Sequence, residues 1–125
     1  MNAKPTEKEL EILQVLWQEG PTTVRDVNER LSEKREIGYT TTLKIMQIMH
    51  DKGLVTRKKD GKTHIYAPTI SEQDAQSSML KDLMDTAFKG SAMRLVMGAL
   101  GTRKSSPQEL EKIRAYLDSL EGGEK

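Results

Sequence analysis

Residues 37–53, IGYTTTLKIMQIMHDKG, constrain the fold of this chain more than any other stretch of its sequence. Small and apolar side chains recur in it at intervals of three and four residues, which predicts a helix that buries one stripe. The residues expected in this stripe are Thr42, Ile45, Met46 and Met49. We expect the helix to end at Gly53, because glycine readily adopts the left-handed conformation of a C-terminal cap.

The opposite side of this helix is polar and positively charged. Its side chains are Thr40, Thr41, Lys44 and Gln47, with Tyr39 at the beginning of the helix. Threonine and glutamine can hydrogen bond to base edges, and lysine can contact a base acceptor or a phosphate, so this face suits the major groove of DNA. Taken alone, such a face more commonly just contacts solvent. The segment that follows therefore decides between the two interpretations.

Two strand-like runs follow the helix, at residues 54–58 and 63–67, with the sequence KDGK between them. Asp60 and Gly61 are typical of a two-residue hairpin turn, because such turns need positive φ. The hairpin is expected to carry four cations into solvent, namely Arg57, Lys58, Lys59 and Lys62. A helix whose polar face suits the major groove, followed directly by a basic hairpin, predicts a winged helix-turn-helix. The chain is then expected to be mainly α with a small β-hairpin wing.

The distribution of charge agrees with this interpretation, although the total does not indicate a partner. The 125 residues include 20 Lys or Arg and 19 Asp or Glu, a net charge of +1. Residues 37–70 contain six basic and two acidic residues, a balance of +4, whereas residues 1–36 and 71–125 have balances of −2 and −1. Positive charge is thus concentrated where phosphate contacts would need it.

Two helices are predicted before residue 37. The sequence TEKE at residues 6–9 is a capping box that begins the first, and Thr23 caps the second, with Asp26 placed to return the bond. The first helix is expected to bury a stripe of Leu10, Leu13, Leu16 and Trp17, which Ile12 and Val15 widen. A polar connection at residues 33–36 joins the second helix to residues 37–53, as in a helix-turn-helix, so its N-terminus should lie near the phosphate backbone.

Residues 71–125 are predicted to form three helices with apolar faces and few aromatic side chains. About 55 residues of this kind do not easily make a core of their own, so we expect the region to pair with a second copy. A ligand pocket lined by methionine is the less common use of such a stripe. The predicted division is a winged helix-turn-helix domain at residues 1–70 and a helical dimerisation domain at residues 71–125. The residues assigned to the dimer interface are Met79, Leu80, Leu83, Met84, Phe88, Met93, Val96, Leu110, Ile113 and Leu117.

Composition excludes several other classes. The chain has no cysteine, hence no disulfide, thiolate metal site or cysteine nucleophile. It has no apolar run of about 20 residues, and its beginning, MNAKPTEKEL, lacks the apolar centre of a signal peptide, so we expect a cytoplasmic protein without a membrane partner. His50 and His64 have no third ligand or nucleophile beside them, so no metal, cofactor or enzymatic activity is expected.

The motifs TEKELEILQVLW (residues 6–17), TVRDV (23–27), YTTTLKIMQIMHDKGL (39–54) and KKDGK (58–62) resemble the penicillinase-repressor family of the BlaI/MecI/CopY type. The resemblance implies a homodimeric, sequence-specific transcriptional repressor that binds an inverted repeat in a promoter through two winged helices. It also implies that Thr40, Thr41 and Lys44 lie at base edges and that Tyr39 or Gln47 touches the backbone or flanking bases. Leu43 stands where some relatives carry Arg, so base contacts are expected to differ there.

The resemblance also bears on release from DNA. Relatives that respond to β-lactams are cut by a regulatory protease at an Asn-Phe bond, whereas this chain has Gly98-Ala99 at the matching place. Copper-responsive relatives use cysteine pairs, which this chain lacks, so release by copper through cysteine pairs is excluded. The alternative function is a winged helix that contacts proteins without binding DNA, since this fold does not require DNA binding.

Overall fold

The computed structural model describes residues 4–122. In chain order the elements are α1 (Glu7–Glu19), α2 (Val24–Ser32), α3 (Tyr39–Lys52), β1 (Val55–Asp60), β2 (Thr63–Pro68), α4 (Glu72–Ala87), α5 (Ala92–Thr102) and α6 (Pro107–Gly122). The predicted mainly helical chain with one β-hairpin is confirmed. The chain divides into two compact units, the first ending at Ser78 and the second beginning at Met79, so the division lies within α4. The predicted domain boundary after residue 70 stays a prediction.

The first unit has an apolar core between α1, α2, α3 and the hairpin. Helix α1 contributes Ile12, Leu13 and Leu16, all with at most 1% of their surface exposed, whereas Leu10 and Trp17 are only half-buried. The predicted stripe is thus confirmed at Ile12, Leu13, Val15 and Leu16, whereas Leu10 and Trp17 lie at its margin. The remaining core residues are Val15, Val24, Val27, Leu31, Met46, Met49, Leu54, Val55 and Tyr66.

The helix boundaries follow from their caps. The predicted capping box of α1 is confirmed, with the Glu9 N–H donating to Thr6 Oγ1 at 3.2 Å and the Thr6 N–H donating to Glu9 Oε1 at 2.9 Å. Thr23 caps α2 as predicted, by accepting from the Asp26 N–H at 3.2 Å. The Asp26 carboxylate, expected to return the bond to the capping residue, accepts from the Thr22 hydroxyl at 2.6 Å.

Helix α3 begins at Tyr39, two residues later than the predicted stretch. Gly38 is its N-cap in an extended conformation, and Ile37 packs partly buried against the core from the connection before it. The helix ends as predicted at Gly53, whose φ is 83°.

The hairpin turn is one residue further along the chain than predicted. Asp60 pairs with Thr63, and the Thr63 hydroxyl donates to the Asp60 carbonyl at 3.1 Å, so the two turn residues are Gly61 and Lys62. Gly61 has φ of 63°, whereas Lys62 is not among the residues with positive φ. Positive φ at the first turn residue alone is typical of a type II′ turn, for which glycine is preferred at that position.

The base of the hairpin is attached to the segment between α1 and α2. Thr22 and Tyr66 form an isolated antiparallel bridge, in which the Thr22 N–H donates to the Tyr66 carbonyl at 3.0 Å and the Tyr66 N–H donates to the Thr22 carbonyl at 2.8 Å. At the end of β2, the indole N–H of Trp17 donates to the carbonyl of Ile70 at 2.9 Å. These bonds hold the hairpin against the helices that precede it.

The second unit consists of helices whose caps were predicted correctly but whose apolar faces are largely uncovered. Ser91 and Ser106 cap α5 and α6 by accepting from the N–H groups of Arg94 and Glu109 at 3.1 and 3.0 Å. Neither helix contains a buried residue within the described range. No helix in residues 4–122 is long and apolar enough to cross a membrane.

Candidate nucleic-acid interface

The outer face of α3 is an exposed polar surface. Tyr39 has 49% of its surface exposed, and Thr40, Thr41, Lys44 and Gln47 are also exposed. The residues on the inner face, Thr42, Met46 and Met49, are completely buried. The sequence therefore assigned these side chains to the correct faces of the helix. Only Ile45, expected in the buried stripe, is half-buried rather than buried.

Ile48 extends the outer face and was not selected from the sequence. It is 41% exposed and lies one helical turn beyond Lys44, on the same side as Thr41. An isoleucine there can contact the methyl group of thymine, which is read by apolar side chains. The spacing of three and four residues from Thr41 through Lys44 is the signal that would have found it.

Asn28 of α2 holds the beginning of α3. Its amide nitrogen, oriented toward its acceptors, lies 2.7 Å from Thr42 Oγ1 and 3.1 and 3.3 Å from the carbonyl oxygens of Ile37 and Gly38, so its two N–H groups serve three acceptors and one N–H is shared. Because the Thr42 side chain is completely buried, its bond to Asn28 satisfies a polar atom that water cannot reach. One amide thus sets the position of the first turn of α3 relative to α2.

An ion pair holds the other end of α3. Lys52 Nζ lies 2.9 Å from both carboxylate oxygens of Glu9, which is 3% exposed. Glu9 also belongs to the capping box of α1, so its carboxylate joins the beginning of α1 to the end of α3. With both ends held, α3 presents its polar face as a rigid surface, which favours specific recognition.

The hairpin carries cations that form no ion pair in the part of the chain that the structure describes. Within residues 4–122, Lys44 and the four hairpin cations form no ion pair, whereas Arg30, Arg35 and Lys52 are paired with Glu19, Glu11 and Glu9. The hairpin cations are Arg57, Lys58, Lys59 and Lys62, all exposed. Register places Arg57 and Lys59 opposite Tyr66 and His64, and Lys58 opposite Ile65. Positive charge is therefore found on both faces of the hairpin.

Helices α2 and α3 and the hairpin enclose an open groove of about 430 Å³. Arg25 and His64 line it together with Tyr39 and Lys62, although neither Arg25 nor His64 was chosen from the sequence. Arg25 was missed because a single exposed cation on a short helix carries no pattern. Its place in the first turn of α2, whose N-terminus was expected near phosphates, is the signal that pointed to it.

Groups of three or more His, Cys, Asp or Glu side chains able to hold a metal ion do not occur among residues 4–122. His50 lies in the last turn of α3, with Nδ1 3.9 Å from the carboxylate of Asp51. His64 lies in β2 with its ring edge-to-face against Tyr66, at 6.4 Å between ring centroids.

An exposed polar helix beside a cationic hairpin is the arrangement of a winged helix-turn-helix, and comparison with known proteins shows which group of them it belongs to. The sequence profile described as "Penicillinase repressor" matches residues 5–119. The chain belongs to the penicillinase-repressor family. This is a family of DNA-binding transcriptional repressors rather than of enzymes, and the chain is accordingly a DNA-binding transcriptional repressor.

Individual relatives agree with this assignment to the penicillinase-repressor family. The chain is 29% identical to the transcriptional regulator BlaI of Mycobacterium tuberculosis over 113 residues, which cover 90% of this chain and 81% of the relative. It is 24% identical to the methicillin resistance regulatory protein MecI of Mammaliicoccus sciuri over 110 residues, 88% and 89% of the two chains. The solution structure of the DNA-binding domain of the repressor BlaI superimposes with a TM-score of 0.52 and 26% identity, covering 59% of this chain and 93% of that domain.

Proposed function

We propose that this repressor acts as a homodimer on an inverted-repeat operator, with α3 of each subunit in the major groove and the hairpin against the sugar-phosphate backbone. The observation that carries the proposal is the exposed face of α3, polar and without internal partners, beside a hairpin of unneutralised cations. Tyr39 and Ile48 are exposed at the two ends of this face, whereas Thr40, Thr41, Lys44 and Gln47 between them are polar, and the cations of the adjacent hairpin favour DNA over a protein partner.

The proposed base contacts come from the middle of the α3 face. Thr40, Thr41 and Lys44 are proposed at base edges, and Tyr39 and Gln47 at the backbone or flanking bases. Leu43, which stands where some relatives have Arg, is half-buried against the core. Leucine has no polar side-chain atom that could hydrogen bond to a base. Lys44 is therefore the principal cation that we propose for the exposed face of α3.

The proposed backbone contacts come from Arg57, Lys58, Lys59 and Lys62. Contacts between cations and phosphates release counterions, so they strengthen binding to any sequence and make it fall with salt. Discrimination between sequences is left to α3. Sequence preference therefore reports on α3, and salt dependence reports on the hairpin.

Homodimerisation is proposed from the second unit. Large apolar side chains are exposed on all three helices of residues 79–122, and they include six of the ten residues assigned to the interface. These six are Met79, Leu80, Leu83, Met93, Val96 and Leu117, to which the structure adds Met97, Leu100, Tyr116 and Leu120. Met84, Phe88, Leu110 and Ile113 are half-buried within the region. Exposed apolar area of this extent marks an interaction surface, and a twofold dimer matches an operator with twofold sequence symmetry.

We propose that release from DNA through a regulatory protease does not use the cut made in the β-lactam-responsive relatives, because Gly98-Ala99 stands here in place of the Asn-Phe pair. Gly98 and Ala99 lie inside α5, and a Cβ added to Gly98 would come within 3.2 Å of the Phe88 ring. The residues found at the cleavage place of other members would therefore crowd Phe88 in this chain. Cleavage at this bond would also require α5 to unfold locally, because proteases bind extended backbone.

The experiment is a binding titration of the purified protein on its own upstream region and on random duplex DNA at several salt concentrations. Thr41→Ala and Lys44→Ala should lower discrimination between operator and random DNA by about 1–3 kcal/mol per lost base contact. Lys59→Ala should weaken both about equally and reduce the salt dependence. Lys112→Ala, which removes an exposed cation from α6, is the matched control and should change neither quantity.

Two results would contradict the proposal. If no genomic fragment binds at low salt, the protein-contact alternative replaces it. If Lys59→Ala changes sequence preference while Thr41→Ala and Lys44→Ala do not, the roles of helix and hairpin are reversed.

A further inference from the structure

The groove between the helices and the hairpin brings together side chains from three separate elements. Arg25 lies in the first turn of α2, Tyr39 is the first residue of α3, and Lys62, Thr63 and His64 come from the turn and the beginning of β2. No acidic side chain is among the residues that line it. The groove is thus bordered by two cations on opposite walls and by hydroxyl groups between them.

Both cations are available for a ligand. The side chains of Arg25 and Lys62 form no hydrogen bond or ion pair within residues 4–122, and both are exposed. Arg30, five residues after Arg25 in the same helix, is in contrast occupied by Gln18 and Glu19. Two cations held near each other without a counterion favour a bound anion, because Coulomb attraction to an anion relieves their mutual repulsion.

The walls of the groove are held at a set separation. The two hydrogen bonds between Thr22 and Tyr66 join the segment that leads into α2 to the strand that leads out of the turn. Thr23, which also lines the groove, caps α2 through its hydroxyl. The first N–H groups of α2 lack intrahelical acceptors and add partial positive charge on the same side.

The chemistry of these groups matches a phosphodiester. A guanidinium donates two parallel hydrogen bonds to phosphate oxygens, an ammonium supplies a compact positive charge, and a phenol donates a third bond. The groove is open to solvent and continues into the exposed face of α3 at Tyr39. A linear polymer can therefore pass through it.

We infer that this groove holds one phosphate of the DNA backbone in each half-site, with Arg25 and Lys62 binding it from opposite sides and the Tyr39 hydroxyl completing the contact. The inference rests on the proposed function, because α3 in the major groove would bring the backbone across its first residue. It makes Arg25 a DNA-contact residue, and it assigns Lys62 to one particular phosphate rather than to a general attraction to the backbone.

The test uses operator duplexes in which single phosphates are replaced by neutral methylphosphonates. Wild-type protein should lose about 3- to 30-fold in affinity when the groove phosphate of a half-site is neutral, since charge-assisted contacts are the strong ones. Arg25→Ala and Lys62→Ala should bind the unmodified duplex more weakly, with a salt slope smaller by about one, and should no longer respond to that position. Arg25→Lys should keep the slope, and Arg114→Ala in α6 is the control that should behave as wild type.

The outcomes separate this inference from the proposed function. If Arg25→Ala keeps wild-type affinity, slope and response to methylphosphonates while wild type binds the operator, the groove assignment is overturned and the repressor proposal stands. If wild type binds no duplex, the proposed function itself fails. Inorganic phosphate should displace the duplex no better than chloride at matched ionic strength. Stronger displacement by phosphate would make the groove a site for a free anion and overturn its assignment to the backbone.

Discussion

Asn28 is the residue on which the placement of the reading surface depends most directly. Its amide contacts two carbonyls before α3 and the buried hydroxyl of Thr42 within it. None of these acceptors belongs to the exposed face. A residue that never touches DNA therefore decides where Thr41 and Lys44 lie.

Replacing Asn28 by Ala should lower the free energy of unfolding by roughly 1–3 kcal/mol, because it leaves the buried Thr42 hydroxyl and the carbonyls before α3 without their donor. Urea denaturation followed by circular dichroism measures this. Gln14→Ala, a change at an exposed polar residue of α1, is the control and should stay within about 0.5 kcal/mol of wild type. Equal stability of Asn28→Ala and Gln14→Ala would contradict the role given to the amide.

Residues of this kind are difficult to predict because they belong to no repeating pattern. The buried residues of α3 recur every three or four positions, so the exposed face of this helix could be predicted from the sequence. Asn28 and Arg25 act through partners that lie elsewhere in the chain, Thr42 for the first and the hairpin groove for the second. For Asn28 nothing nearby in the sequence indicates its partner, and for Arg25 only its place in the first turn of α2 does.

Among the helices and strands, capping residues in the sequence correctly predicted where helices begin. Thr6, Thr23, Ser91 and Ser106 all cap the helices they were expected to cap. The hairpin turn differed by one residue, because Asp-Gly fits two alternative registers and only pairing across the strands decides between them. The bridge between Thr22 and β2 was not predicted, because a single residue cannot show the alternation of apolar and polar side chains by which a strand is recognised.

The connection between α2 and α3 is held to α1 by a surface ion pair. Arg35 donates two hydrogen bonds to the Glu11 carboxylate, at 2.7 and 3.0 Å, and these bonds lower the pKa of Glu11 below its ordinary value of 4.5. A lowered pKa means that the ionised carboxylate stabilises the folded state. That contribution is present above the unfolded pKa and is lost as the pH falls through the lower, folded pKa.

Glu11→Gln should therefore be less stable than wild type at pH 7, with the difference disappearing as the pH falls through the folded pKa of Glu11, which lies below 4.5. Both side chains are partly exposed, so the effect should be small and should weaken with salt. Denaturation midpoints of the two proteins at pH 7, 5, 4 and 3 measure it. Glu29→Gln, at an exposed glutamate of α2 without an ion pair, is the control. A Glu11→Gln difference that persists unchanged at pH 3 would show that the ion pair is not its source.

At the scale of the molecule, the two units differ in how completely they bury their apolar residues. The first has a closed core around Tyr66, Ile12 and Leu13, whereas α5 and α6 of the second have no buried residue and expose side chains such as Met93, at 69%. Such a region gains stability chiefly by covering these faces with another copy. Dimerisation and the folding of the second unit are then expected to be coupled.

Leu117→Asp and Leu83→Asp should convert the dimer to a monomer of 14.1 kDa, because each places a charge on a proposed apolar interface. Both leucines are about half exposed, so circular dichroism should show that the first unit remains folded. Sedimentation equilibrium measures the mass, and operator affinity should fall because a single half-site provides too little contact. Gln108→Asp, on an exposed polar position of α6, should remain dimeric. Unchanged mass for both leucine variants would refute this interface.

The charged residues of β1 also protect the protein from misassembly. Within residues 4–122, β1 pairs only with β2. Its other edge therefore has unpaired backbone N–H and C=O groups to which a strand of another molecule could hydrogen bond. The Arg57–Lys59 run places like charges along that edge, and like charges repel the same edge of another molecule. Variants that remove these charges to abolish phosphate contact are consequently also expected to aggregate by strand addition, and β-branched replacements should aggregate more readily than alanine.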